Sequence, residues 1–222
     1  MDENTTSLGQ FYPHLRGDAT LVSQEYLLDS IARKAEESRL TQQAFIADNS
    51  TALVAVANSL VECFEKGGKL ISLGNGGSAC DAAHIAVEFN HPVTAGRRAL
   101  PAIHLAADNV LMTALGNDVG FENVFSRQLL HCASPLDAVI CISTSGNAKN
   151  IVNAMRVARE KNLLTVGLLG NEGGILAAEG LVEHQLIVPS RSIHRIQECH
   201  VLIYHILWDL VHSGINKVPS HV

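Results

Sequence analysis

His84 and Glu88 are four residues apart in an Ala-rich stretch free of Pro and Gly. On a helix that spacing puts both side chains on one face. An imidazole and a carboxylate so placed can bind one divalent cation, or act as a base beside its metal. Polar pairs at this spacing also occur at helix ends with no chemical role. Just upstream, Leu70 to Leu73 is an apolar run of strand length, and Gly74-Asn75-Gly76-Gly77-Ser78 follows at once. A strand, a glycine turn and a helix start converge free backbone N–H groups and the positive end of the helix dipole on one spot, which suits a phosphate. The glycines let the backbone come close to an anion, and Ser78 is expected to add a hydroxyl at the N-cap. The same five residues would also serve as a strand-to-helix turn that binds nothing.

A second turn of this type is Ser143-Thr144-Ser145-Gly146-Asn147, with three hydroxyls and several N–H groups ahead of a helix and no basic side chain. Two such turns at equivalent strand ends favour a phosphate monoester held by neutral donors. The chain has no Walker-A lysine, no Gly-x-Gly-x-x-Gly and no Gly-x-Ser-x-Gly elbow. That argues against nucleotide hydrolysis, dinucleotide binding and α/β-hydrolase chemistry.

The elements that must position these residues alternate. Strands are expected over 70–73, 101–106, 137–142, 164–169 and 182–188, with helices between them. Gly116 to Gly120 reads as a turn, and His104 as a satisfied sheet residue. The last helix is expected over 195–212. The pattern predicts an α/β fold, a doubly wound five-stranded parallel sheet, with ligands beyond the carboxyl ends of the strands. Two extra helices precede the first strand. One covers about 26–49, with or without a break in the middle; the other covers 51–66, capped by Ser50 or Asn49 and ended by Gly67-Gly68. Both cannot fit in a standard crossover, so their apolar faces point to another subunit. Residues 1–20 read as a flexible or partner-docked tail, and 21–222 as a single domain with this helical extension.

Composition narrows the class. The chain has 222 residues, 47% of them hydrophobic but only 5% aromatic, which suits a large aliphatic core. A formal net charge of −6 gives no basic footprint for nucleic acid. No transmembrane-length apolar run and no signal-peptide pattern are expected, so no membrane partner is. Five irregularly spaced cysteines read as thiols in a reducing cytoplasm.

Gly74-Asn-Gly-Gly-Ser78, Gly116-Asn-Asp118, Ser143-Thr-Ser-Gly-Asn147 and Arg195-Ile-Gln-Glu198 occur in that order. With this set the chain resembles the sugar isomerase (SIS) domain proteins, and within them the phosphoheptose isomerases, from about residue 50 to 212. The resemblance implies a homotetramer with active sites between subunits, a sugar-phosphate substrate, and isomerisation of sedoheptulose 7-phosphate to a glycero-manno-heptose 7-phosphate. It also implies roles. Asn75, Gly76, Gly77 and Ser78 would line the phosphate and substrate site, with Ser143, Thr144 and Ser145 as the second phosphate loop. Asn117 and Asp118 would contact substrate. His84, Glu88, Gln197 and His205 would hold one Zn2+ ion, with Glu88 and His205 also the acid/base pair, acting from opposite sides of the substrate. Gln197 and His205 are eight residues apart, about 12 Å along one helix, so both would have to reach toward the ion. His200 and His212 read as core strays, and Trp208 as packing.

The chain departs from the family pattern at Pro92, where an Arg is usual, at Ala148, where a Ser is usual, and at His194, where some members have Asp. Arg97 or Arg98 is a candidate to replace the missing charge. A non-catalytic relative, the replication-initiator-associating protein, lacks the equivalents of Glu88 and His205, so their presence favours an enzyme. A sugar-phosphate sensor without turnover is the other rival.

Overall fold

A computed structural model describes residues 22–216 of the chain. The expected tail at 1–20 lies outside them. By packing, the described residues divide into two units, one up to Glu36 and one from Glu37 onward. In the first, Tyr26, Leu27, Leu28 and Ile31 are all more than half exposed.

Helix α1 runs Gln24–Glu65. It is one helix where the sequence suggested two. Ser50 and Asn49 do not cap a second helix. Ser50 Oγ donates to the Ile46 carbonyl at 2.6 Å, and Asn49 Nδ2 to the Phe45 carbonyl at 3.0 Å. These side chains bond back one turn and let the helix continue. Gly67 then ends it with a φ of 84°. By length and composition α1 is also a helix that could cross a bilayer, contrary to expectation. Its Phe45, Leu53, Val56 and Leu60, however, belong to the buried core beside the sheet.

Strand β1 (Leu70–Gly74) leads into α2 (Gly77–Asn90), then β2 (Ala102–His104), α3 (Asn109–Asp118) and a 3-10 turn, Phe121–Asn123. The rest is α4 (Val124–Cys132), β3 (Ala138–Ser143), α5 (Lys149–Glu160), β4 (Leu164–Gly170), α6 (Gly174–Ala178), β5 (His184–Val188) and α7 (Ile193–Asn216). All strand pairs are parallel, in the order β2-β1-β3-β4-β5. This is the expected doubly wound sheet. The chain winds outward from β1 to β2, then returns to start β3 on the other side of β1. The crevice at the β1/β3 carboxyl ends is therefore the topological switch point, where such sheets bind ligands.

Alternation along the strands splits the core in two. Leu70, Ala138, Ile140, Ile142, Val166 and Leu168 face α1, α2 and α7. Ile71, Leu73, Val139, Cys141 and Leu169 face α4, α5 and α6. Below the sheet, buried Asp137 ties the starts of β1 and β3 together. Its carboxylate accepts from Lys69 Nζ at 2.6 Å, Lys69 N at 3.0 Å and Ser134 N at 2.8 Å. Of the cysteines, all free, Cys63, Cys141 and Cys199 are buried, Cys132 is half-buried and Cys80 is exposed.

One predicted turn is helical. Gly116, Asn117 and Asp118 form the last turn of α3, because Asp108 caps its start by accepting from Leu111 N at 2.9 Å and the helix then runs on to Asp118. His104 also differs from expectation: its buried Nδ1 has no hydrogen-bond partner among the described residues.

Candidate active site

The two phosphate-type loops leave β1 and β3, the adjacent strands that bound the switch point. In the first, β1 can end hard against α2 only because Gly74 has no side chain; a Cβ there would strike the Ser78 carbonyl. Gly76, at a φ of 55°, is the N-cap and offers no side-chain bond. Ser78 is therefore not the cap, as the sequence suggested. It lies buried inside the first turn. Ala79 N and Cys80 N both donate to the Gly76 carbonyl. In the second loop, Ser143 Oγ accepts from Gly146 N at 3.0 Å and Ser145 Oγ from Asn147 N at 3.3 Å. Both hydroxyls keep their protons to donate. The loop packs on the turn after β4, where a Cβ at Gly146 would strike the Gly173 carbonyl.

A bond the sequence did not suggest joins the first loop to the helix that follows the second. Asn75 Nδ2 donates to Asn150 Oδ1, and Asn150 Nδ2 donates back to Asn75 Oδ1, each at 2.9 Å. Asn150 is buried and its Oδ1 also accepts from Ile151 N. This closed amide pair bridges the crevice between the loop after β1 and the start of α5.

The residues expected to be the acid–base pair lie on α2 and α7, which run side by side in the same direction. Gly77 meets Gln197, His84 meets Tyr204, and Trp208 Nε1 donates to the Glu88 carbonyl at 2.9 Å. Further along, the Phe89 ring stacks on His212. This register brings His205 to the pair already on α2. One ligand atom each from His84, Glu88 and His205 lies within 4.8 Å of the others. His84 Nε2 faces Glu88 Oε1 at 3.1 Å, and the His84 and His205 rings are edge to face at 5.2 Å. Tyr204 and Asp81 complete the surroundings. Burial, then the charges of Asp81 and Glu88, push the Tyr204 phenol up to about 12. Burial also raises the Asp81 carboxyl, with His84 opposing it.

Gln197, expected with the ion ligands, lies against Gly77, where a Cβ would strike its Nε2. It sits at the phosphate end of α2, about 10 Å along the helix from His84. Within one chain Glu88 and His205 converge. Asn117 and Asp118 are exposed and bond to each other at 2.8 Å, and no hydrogen bond joins them to another predicted site residue among the described ones. Arg97 does not replace the missing charge. Its guanidinium pairs with Asp209 at 2.8 Å and lies over Trp208, at the far end of α2 from the phosphate loops. Pro92 falls in the loop after α2, where Asn90 exchanges two hydrogen bonds with Ala102 of the edge strand.

Residues 35–170 match the SIS domain model. The phosphoheptose isomerase of Trichlorobacter lovleyi is 43% identical over 185 residues, 83% of this chain and 93% of that protein. The chain belongs to the SIS-domain phosphoheptose isomerase family. The phosphoheptose isomerase of Pelobacter propionicus, at 43% identity over 85% of this chain and 99% of its own length, supports the same family. Among solved structures, the family member from Neisseria gonorrhoeae superposes with a TM-score of 0.78 at 34% identity, over 86% of this chain and 100% of that one. The Francisella tularensis member gives 0.80 at 33%, over 84% and 98%. Family members are sugar-phosphate isomerases, and this chain has their fold from end to end of the shared region.

Proposed function

We propose that the chain interconverts sedoheptulose 7-phosphate and D-glycero-D-manno-heptose 7-phosphate. The observation that carries this reading is the convergence of Glu88, His84 and His205 two helical turns from paired anion loops. The N–H groups and hydroxyls of 75–78 and 143–145 hold the phosphate with neutral donors and helix dipoles. The carbonyl end of the sugar then reaches the α2/α7 cluster. Glu88 takes a proton from C1 of the ketose while His205 supplies one to the C2 oxygen. The enediol so formed loses its O1 proton and gains one at C2, leaving the aldose. Groups within 4.8 Å of each other serve neighbouring atoms from one side of the substrate, without flanking it.

Two imidazoles and a carboxylate with ligand atoms this close are a donor set that fits zinc. His84, Glu88 and His205 would hold the ion; Gln197, set against Gly77 in the same chain, would not be among its ligands there. Bound zinc polarises the substrate carbonyl. The assembly we propose is a homotetramer in the cytoplasm. Exposed Leu40 and Val54 on α1 supply apolar surface for it, and five free thiols suit a reducing compartment.

The test incubates purified protein and zinc with sedoheptulose 7-phosphate and follows the aldose product. Turnover is expected in the native protein. Glu88→Gln is expected to lose at least about a hundredfold in kcat, the scale of a general base, while still binding the sugar phosphate. Near-native turnover in that variant removes Glu88 from the mechanism. Binding without turnover in the native protein makes it a sensor.

A further inference from the structure

Tyr204 precedes His205 on α7 and is 3% exposed. Its Oη is 2.8 Å from His84 Nδ1, and its ring is edge-on to His84 and tilted against His205, with centroids 5.4 and 4.6 Å apart. Both nitrogens of His84 are thereby held, Nδ1 by Tyr204 and Nε2 by Glu88. The remaining freedom is which nitrogen carries the proton.

An ionised carboxylate can only accept, so opposite Glu88 the proton sits on Nε2 and Nδ1 accepts from the tyrosine. If Nε2 gives its lone pair to a cation, the proton must move to Nδ1, and the partner there must accept. A backbone carbonyl would fit the second state alone and an N–H the first alone. A hydroxyl fits both. When it accepts, its own proton needs a new acceptor. Asp81 lies one turn before His84 on the same face of α2, with a buried Oδ2 that has no hydrogen-bond partner among the described residues.

We propose that Tyr204 is a positioning residue that keeps His84 aimed at Glu88 and His205 in either tautomer, so that Nε2 can pass between a hydrogen bond to Glu88 and ligation of zinc. The proposal rests on the zinc-holding part of the function proposed above, and its test needs no turnover. Nitrogen-15 spectra of the full-length protein, with the His84 signal assigned through His84→Gln, report the tautomer before and after zinc is added. Zinc affinity is measured by competition with a chromophoric chelator. In the native protein the proton is expected on Nε2 without zinc and on Nδ1 with it. Tyr204→Phe keeps the ring and loses the hydroxyl. It is expected to weaken zinc binding about ten- to a hundredfold, the usual cost of losing an outer partner of a metal-bound histidine. Zinc affinity within twofold of native in Tyr204→Phe, or one tautomer in both states of the native protein, overturns the proposal. The native spectra decide it even if the variant does not fold. Native protein that takes up no zinc also overturns it, while the isomerase reading still stands or falls by turnover.

Discussion

His200 links the fold to an acid sensitivity that can be measured. It sits on the inner face of α7, fully buried, and its Nε2 donates to the Leu169 carbonyl at the end of β4 at 3.1 Å. A second proton would go to Nδ1, which is buried with no partner. Burial therefore lowers the imidazole to about 4, from an ordinary 6.5, although the Leu169 carbonyl favours the charged form. The unfolded chain binds this proton near pH 6.5, and the folded chain not until about pH 4. Between those values the unfolded state holds more protons, so stability falls as pH falls. One group with this shift costs about 2 kcal/mol between pH 7 and 5, and about 3 kcal/mol by pH 4. Urea unfolding at pH 7 and 5 measures the loss. His200→Gln keeps an N–H for Leu169 but cannot take up a proton. Its loss over the same range should be smaller than native by about 2 kcal/mol. Equal losses in the two proteins would show that His200 is not excluded from protonation in the folded state, and the burial argument would fail.

The amide pair across the crevice gives a second prediction. Asn150→Ala leaves the amide of half-buried Asn75 without its partner, which should cost about 1 kcal/mol of stability. If the loop after β1 holds the phosphate as proposed, the substitution should raise KM for the sugar phosphate more than it lowers kcat, since it loosens that loop and not the α2/α7 cluster; a pure kcat effect would contradict this. Asp137→Asn should cost about 3–5 kcal/mol in denaturant unfolding, because it leaves the Lys69 ammonium beside a neutral amide. Burial by itself would raise Asp137, but the Lys69 ammonium and two backbone N–H groups outweigh it and hold the carboxyl below the usual range. That stability is present above about pH 4 and lost as pH drops through the lowered value. The native protein should lose it in acid and Asp137→Asn should not, which paired unfolding curves at pH 5 and 3 would show.

Much of this protein is legible locally. The apolar runs and their glycine turns depend on neighbours in sequence, so the five strands and the turns that follow β1 and β3 could be read from them. His84 and Glu88 share a face because four residues make about one helical turn. Where local signals competed, they misled. Ser50 and Asn49 are good caps, but their side chains also bond back within a helix, and burial of Phe45, Leu53 and Val56 favoured the continuous form. Ser78 looked like a cap, yet Gly76 takes that place because only glycine allows the sharp turn out of β1.

The sequence by itself determined the alternation of strands and helices, the two glycine turns after β1 and β3 and the His84/Glu88 face, since each follows from periodicity or from backbone freedom within a few residues. Tertiary structure alone decided what crosses between them. The parallel register of α2 and α7 sets Tyr204 on His84 and Gln197 on Gly77, and it brings His205 to Glu88. The β1/β3 switch point sets Asn150 on Asn75. Pairs so far apart in the chain leave no local pattern, because packing of the two layers on the sheet, not spacing along the backbone, chooses which side chains meet.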